Sequence, residues 1–95
     1  MKHYALIKVA PSANVEDVQK KIRKAYDKLD GDLDWLNRPV VFRNCLEKDA
    51  NMDIMSEVEL DGEEQLEIFL NHPRYIKLME ELRDDIVAQV MFDHY

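Results

Sequence analysis

The sequence predicts an α+β sandwich: a four-stranded antiparallel sheet with two helical segments on one face. Three observations predict it. Four short runs rich in strand formers are separated by two longer segments with helical spacing, in the order βαββαβ. The two middle runs are joined by "EKDAN", short enough for an antiparallel hairpin. Each helical segment is long enough to cross the sheet and return, which places both on the same side.

The first strand, His3 to Val9, alternates and contains no turn residue, and Pro11-Ser12 ends it. Asn14 is placed to cap a helix, with Glu16 and Asp17 in its first turn to suit the dipole. Val15, Val18, Ile22, Ala25 and Leu29 then form one apolar stripe, and Gly31 is expected to terminate the helix. The runs Val40–Leu46 and Met52–Leu60 read as the hairpin strands. Asp61 is the expected cap of the second helical region, with Glu64 at the reciprocal position. That region breaks at Asn71-His72-Pro73 and resumes as Ile76, Met79 and Leu82, before a last strand from Ile86 to His94.

Such an arrangement is a ferredoxin-like sandwich, and it leaves one sheet face without helices. Tyr4, Leu6, Val41, Met55 and Met91 are the expected occupants of that face, and an apolar patch of this kind marks an interface. Two copies stacked sheet to sheet would bury it with two-fold symmetry, at a standard scale of about 800 Å² per partner. A homodimer is therefore expected.

Ninety-five residues correspond to a single domain, 1–95, and 46% hydrophobic content excludes a disordered chain. No apolar run reaches the roughly 20 residues that span a bilayer, so no membrane partner is expected. The net charge of −7 is uneven: nine basic and six acidic residues lie up to Leu46, four and fourteen after it. Lys20, Lys21, Arg23, Lys24 and Lys28 read as a solvated helix face, and the acidic balance argues against a nucleic-acid partner. The lone Cys45 cannot form an internal disulfide, which suits the cytoplasm, and its neighbours suggest a buried small hydrophobe.

The segment "LDGEEQLEIFLNHPRYIKLMEEL", with the closing "VMFDHY", resembles the stress-responsive dimeric α/β-barrel (Dabb) family. The shared positions are Leu60, Asp61, Glu64, Leu66, Phe69, His72, Pro73, Phe92 and Asp93, with Lys2-His3 at the opening. Arg43-Asn44 is similar to the family's "G-x-N", with Phe42 in place of the glycine. The resemblance covers effectively the whole chain and implies a protomer whose sheet pairs into a dimeric barrel. A plant polyketide cyclase of this family uses a His and a Tyr between sheet and helices. Those positions fall on Tyr75 and Phe69 here, so the resemblance does not carry that mechanism over; the strand-one histidine, His3, is retained.

The candidate ligand pocket comprises His3, Tyr26, Phe69, His72 and Tyr75. Two readings of His72 stand side by side: punctuation before Pro73, or a pocket wall able to exchange a proton near neutral pH. Tyr75 in place of a histidine favours binding over catalysis, because a phenol with a pKa near 10 is a poor base. The catalytic residues stay unassigned. Asp30, Asp32 and Asp34 have calcium-loop spacing, but Trp35 and Val41 occupy the obligatory glycine and glutamate positions. His3, His72 and His94 lack metal-ligand spacing, and no glycine loop suits a phosphate cofactor, so neither metal nor cofactor is expected. The expected activity is binding of a small apolar or aromatic molecule. The alternative is a cofactor-free enzyme, a cyclase, isomerase or monooxygenase, acting in the same pocket.

Overall fold

Alternation decides the first strand. In the computed structural model, which describes Met1–Tyr95, β1 (Lys2–Val9) buries His3, Ala5, Ile7 and Val9 and turns the residues between them the other way. Helix α1 (Val15–Asp32) starts as its sequence directs: the Asn14 side-chain oxygen accepts from the Asp17 N–H at 3.0 Å. Its buried stripe is Val18, Ile22, Tyr26 and Leu29. Gly31 does not end it. The glycine stays helical without a positive φ, and the chain leaves at Leu33, whose N–H bonds the Leu29 carbonyl at 2.9 Å.

The hairpin strands are shifted from their expected bounds. Strand β2 runs over Asn37–Arg43, because Asn44 uses its side chain to build a turn there. Its Nδ2 donates to the Met52 carbonyl at 2.9 Å and its Oδ1 accepts from the Leu46 N–H at 2.8 Å. Cys45 and Leu46 are thereby carried into solvent, so the expected burial of Cys45 is corrected to exposure. The start of β2 is irregular: Arg38 has φ of 49° and Pro39 lacks a donor, and the register slips between Asn37 and Val40. Strand β3 spans Ile54–Glu59 and buries Ile54, Ser56 and Val58.

The second helical region is two helices, α2 (Glu63–Asn71) and α3 (Pro73–Glu81), followed by β4 (Ile86–His94). Gly62, not Asp61, occupies the cap position of α2, and no side chain caps it. The four strands form one antiparallel sheet in the order β2-β3-β1-β4. Pro39 is tolerated because β2 is an edge. The principal core lies between the sheet and the helices, with Phe69, Leu29, Val58 and Leu82 fully enclosed.

Register decides the opposite face, and it corrects two expectations. Val41 pairs with Ser56 and Met91 with Ala5, so both belong to the helix side. The open face instead combines Tyr4 and Leu6 with Val40, Phe42, Met55, Val90 and Phe92. Phe42, Val90 and Phe92 are 45%, 54% and 59% exposed, far more than large apolar side chains retain inside a packed layer.

Candidate functional site

Phe69 is the hub of the helix-side aromatic cluster. It sits on the buried stripe of α2, and three rings surround it. Tyr26 from α1 meets it edge-on, with centroids 5.5 Å apart and planes at 88°. Tyr75 from α3 lies at 5.3 Å and 47°, and His3 from β1 at 6.2 Å and 66°. These separations are those of attractive edge and tilted packing. Of the five residues expected to form the site, four therefore converge: His3, Tyr26, Phe69 and Tyr75.

His72 does not join them. Its Nδ1 accepts from the Arg74 N–H at 3.1 Å, which caps α3, and its Nε2 lies 3.7 Å from Asp32 of α1. The same carboxylate takes Arg74 Nε at 2.5 Å. The imidazole thus closes a junction between the end of α1 and the start of α3.

The polar groups behind the cluster are each tied to a strand. The Tyr26 hydroxyl and Ser56 Oγ lie 3.1 Å apart in full burial. Burial pushes the Tyr26 phenol well above its ordinary value near 10, and the Ser56 hydrogen bond reverses only part of that rise. Burial also raises Tyr75, against a smaller lowering contribution from the polar side chain of Gln89. His3 faces Asp93 across the β1–β4 ladder, and the Nδ1–Oδ1 distance is 2.5 Å. An ionised carboxylate only accepts, so Nδ1–H is the donor and the bond is charge-assisted. His3 Nε2 is buried and has no partner.

Chemically, the cluster offers one oriented imidazole and two neutral phenols in an apolar setting. A histidine and one carboxylate are too few ligands to hold a metal ion, and no three His, Cys, Asp or Glu side chains converge anywhere in the chain. Tyr75 has a second face. With Leu70, Ile76, Met79, Leu82, Ile86 and Gln89 it lines an open groove of about 590 Å³ between the α2–α3 layer and β4. Neither His3 nor Phe69 reaches that groove.

Gln89, Ser56 and Asp93 touch the cluster and were not in the site prediction. Ser56 carried a signal, being the polar residue in the buried set Ile54–Ser56–Val58. Asp93 was marked only as a shared position of the family resemblance and Gln89 carried no signal, because their contacts depend on the β1–β4 register.

The family model of the stress responsive A/B barrel domain matches residues 1–94. The chain belongs to that family. None of the curated proteins matches it. Among solved structures, this Dabb chain is similar to a dimeric Bacteroides fragilis protein of unknown function and ferredoxin-like fold. The TM-score is 0.82 at 19% identity, over 98% of this chain and 92% of that one. A Dabb family protein from Mesorhizobium loti gives 0.72 at 10% identity, covering 99% and 93%. Hydroxynitrile lyase from Passiflora edulis gives 0.77 at 9% identity, covering 98% and 89%. Identities this low carry the fold and not the chemistry. No helix of the Dabb chain is long and apolar enough to cross a membrane.

Proposed function

We propose that the protein is a cytoplasmic homodimer, joined through the open sheet face, that binds a small apolar or aromatic molecule. The observation that carries this reading is the uncovered apolar face of Tyr4, Leu6, Val40, Phe42, Met55, Val90 and Phe92. Leaving it in water forgoes roughly 25 cal/mol for each Å² of apolar surface that a second copy would bury. The dimeric relative from Bacteroides fragilis, with the same fold, supports the assembly. An exposed, unpaired Cys45 supports a reducing compartment.

The groove beside Tyr75 supports the binding role. Its volume falls within the roughly 300–1,000 Å³ of small-molecule sites, and six of its nine lining residues are hydrophobic. Gln89 supplies a polar group to orient a ligand, Phe69, itself held edge-on by Tyr26, braces the ring of Tyr75 from behind, and His72 fixes the start of α3. The cofactor-free enzyme alternative draws on a single feature, the unpartnered Nε2 of His3 beside Asp93. Phe69, fully buried, packs against that imidazole, and a substrate in the groove would not touch it.

Light scattering at micromolar concentration is expected to give twice the 11.3 kDa chain mass. A clean monomer would sink the assembly. Aromatic fragments are expected to shift the amide resonances of Tyr75, Ile76, Met79 and Gln89, and Ile76→Glu to abolish those shifts while leaving the fold intact. Fragments that leave these resonances unmoved would exclude the groove as the ligand site.

A further inference from the structure

The basic residues of α1 do not end at α1. Helices α1 and α3 pack side by side, and the seam between them is a concave groove of about 280 Å³. Lys21, Lys24 and Lys28 line one wall, and Arg74 and Lys77 line the other. Ala25 and Leu78 complete the lining, and Glu81 is the one acidic residue in it. Five cations against one carboxylate give the groove a formal +4, within a chain whose net charge is −7.

Four of these five cations are not spent on neighbours. Lys21, Lys24, Lys28 and Lys77 form no salt bridge, although the chain holds twenty acidic residues. Asp32 takes Arg74 at Nε and holds the guanidinium against the end of the seam, leaving its terminal amino groups without a bonded partner. The adjoining surface adds Lys20 and Arg23, with Asp27 as the single acid there, and Lys20 is paired to Glu16 at 3.4 Å. A surface shaped for solubility alone intersperses both signs. Concentrating one sign in a concavity costs self-repulsion, which a bound anion relieves.

We propose that the α1–α3 groove binds a small anion carrying two or more phosphate-type charges. Flexible ammonium groups on two facing walls suit a diphosphate, whose oxygens present charge in several directions. The groove opens on the helix layer, opposite the sheet face assigned to the dimer, and α3 separates it from the apolar groove at Tyr75. It is therefore independent of the binding role proposed for that second groove.

The probes are inorganic pyrophosphate and ADP, titrated at constant ionic strength against the full chain and followed by amide resonances. Shifts confined to Lys21–Lys28 and Arg74–Glu81 are expected at millimolar probe or below. The double variant Lys24→Gln, Lys77→Gln keeps helix-forming side chains, and its affinity is expected to fall by at least about tenfold. Lys48→Gln, on an exposed loop, is expected to change it by less than about twofold. Equal weakening by both, or no groove-localised shift at millimolar probe, would overturn the proposal. Phosphatidylglycerol vesicles form the second arm. Groove-dependent capture by these vesicles but not by phosphatidylcholine, without a response to free pyrophosphate, would overturn the small-anion reading in favour of an anionic membrane surface, because each headgroup carries a single charge. A groove-localised response to free pyrophosphate would support a soluble compound. Groove-dependent preference for duplex DNA over both would overturn the small-anion reading.

Discussion

Tyr26 places a phenol in the middle of the core, where its hydroxyl has Ser56 as its partner. Because burial raises its pKa, the folded state holds that proton more tightly than the unfolded state does. The linked stability is fully present below pH 10, where unfolded tyrosine is protonated, and is lost as pH rises above that value. Tyr75 acts in the same direction. Denaturant unfolding between pH 9 and 11.5 is therefore expected to show a steep alkaline loss, which Tyr26→Phe should make shallower. At neutral pH the same substitution is expected to cost about 1 kcal/mol, and Tyr26→Phe with Ser56→Ala less than the two single costs combined. The His3–Asp93 contact supplies a second test. Asp93→Asn keeps an acceptor for Nδ1 and is expected to cost about 1 kcal/mol, whereas Asp93→Ala strands both ring nitrogens and is expected to cost about 2–3 kcal/mol. Equal denaturation midpoints for the two variants would show that the bond contributes little.

The α2–α3 break shows how much of an element is local. Pro73 removes a donor and pushes His72 into extended backbone, at φ −64° and ψ 137°, so the interruption follows from two adjacent residues. The imidazole then caps the helix that Pro73 begins. His72→Asn is expected to preserve stability, since asparagine is a strong cap, and His72→Ala to lose about 1 kcal/mol by thermal or chemical unfolding. If both lose the same amount, the contact with Asp32 matters more than the cap. Elsewhere the local signals competed. Gly31 and Asp61 are standard boundary residues, yet α1 continues through the first and α2 begins after Gly62. Packing of the last turn of α1 against His72 and Arg74 outweighs the preference of a single glycine.

At the scale of the whole molecule, one sheet face backs the core and the other is an uncovered apolar surface, the face proposed for the dimer. Lys2 and Glu57, 3.2 Å apart, occupy that open face beside its apolar residues, and the Glu57 carboxylate holds the lysine charged by raising its pKa. Charge on this face is thereby paired within one copy, as a sheet-to-sheet dimer would require. Phe42→Glu combined with Phe92→Glu is expected to convert the dimer to a folded monomer in analytical ultracentrifugation, with far-UV circular dichroism unchanged. A dimer that survives both substitutions would place the contact on another surface.

The amino-acid sequence by itself determined the order of elements, the sheet-and-helix layering, the alternation of β1, the stripe of α1 and the helix break at Pro73. Each depends on residues within a few positions of one another, where periodicity and backbone restriction act directly. Tertiary structure alone decided which face Val41 and Met91 occupy, because a side-chain period of two turns any register offset of one residue into a change of face. The Arg38–Pro39 irregularity and the pairing of β4 with β1 are such long-range choices. It also decided that His72 leaves the aromatic cluster, that Asp93 meets His3 from 90 residues away, and that Lys77 completes a basic groove begun at Lys21. These contacts join segments distant in sequence, and only the packing of one element on another specifies them.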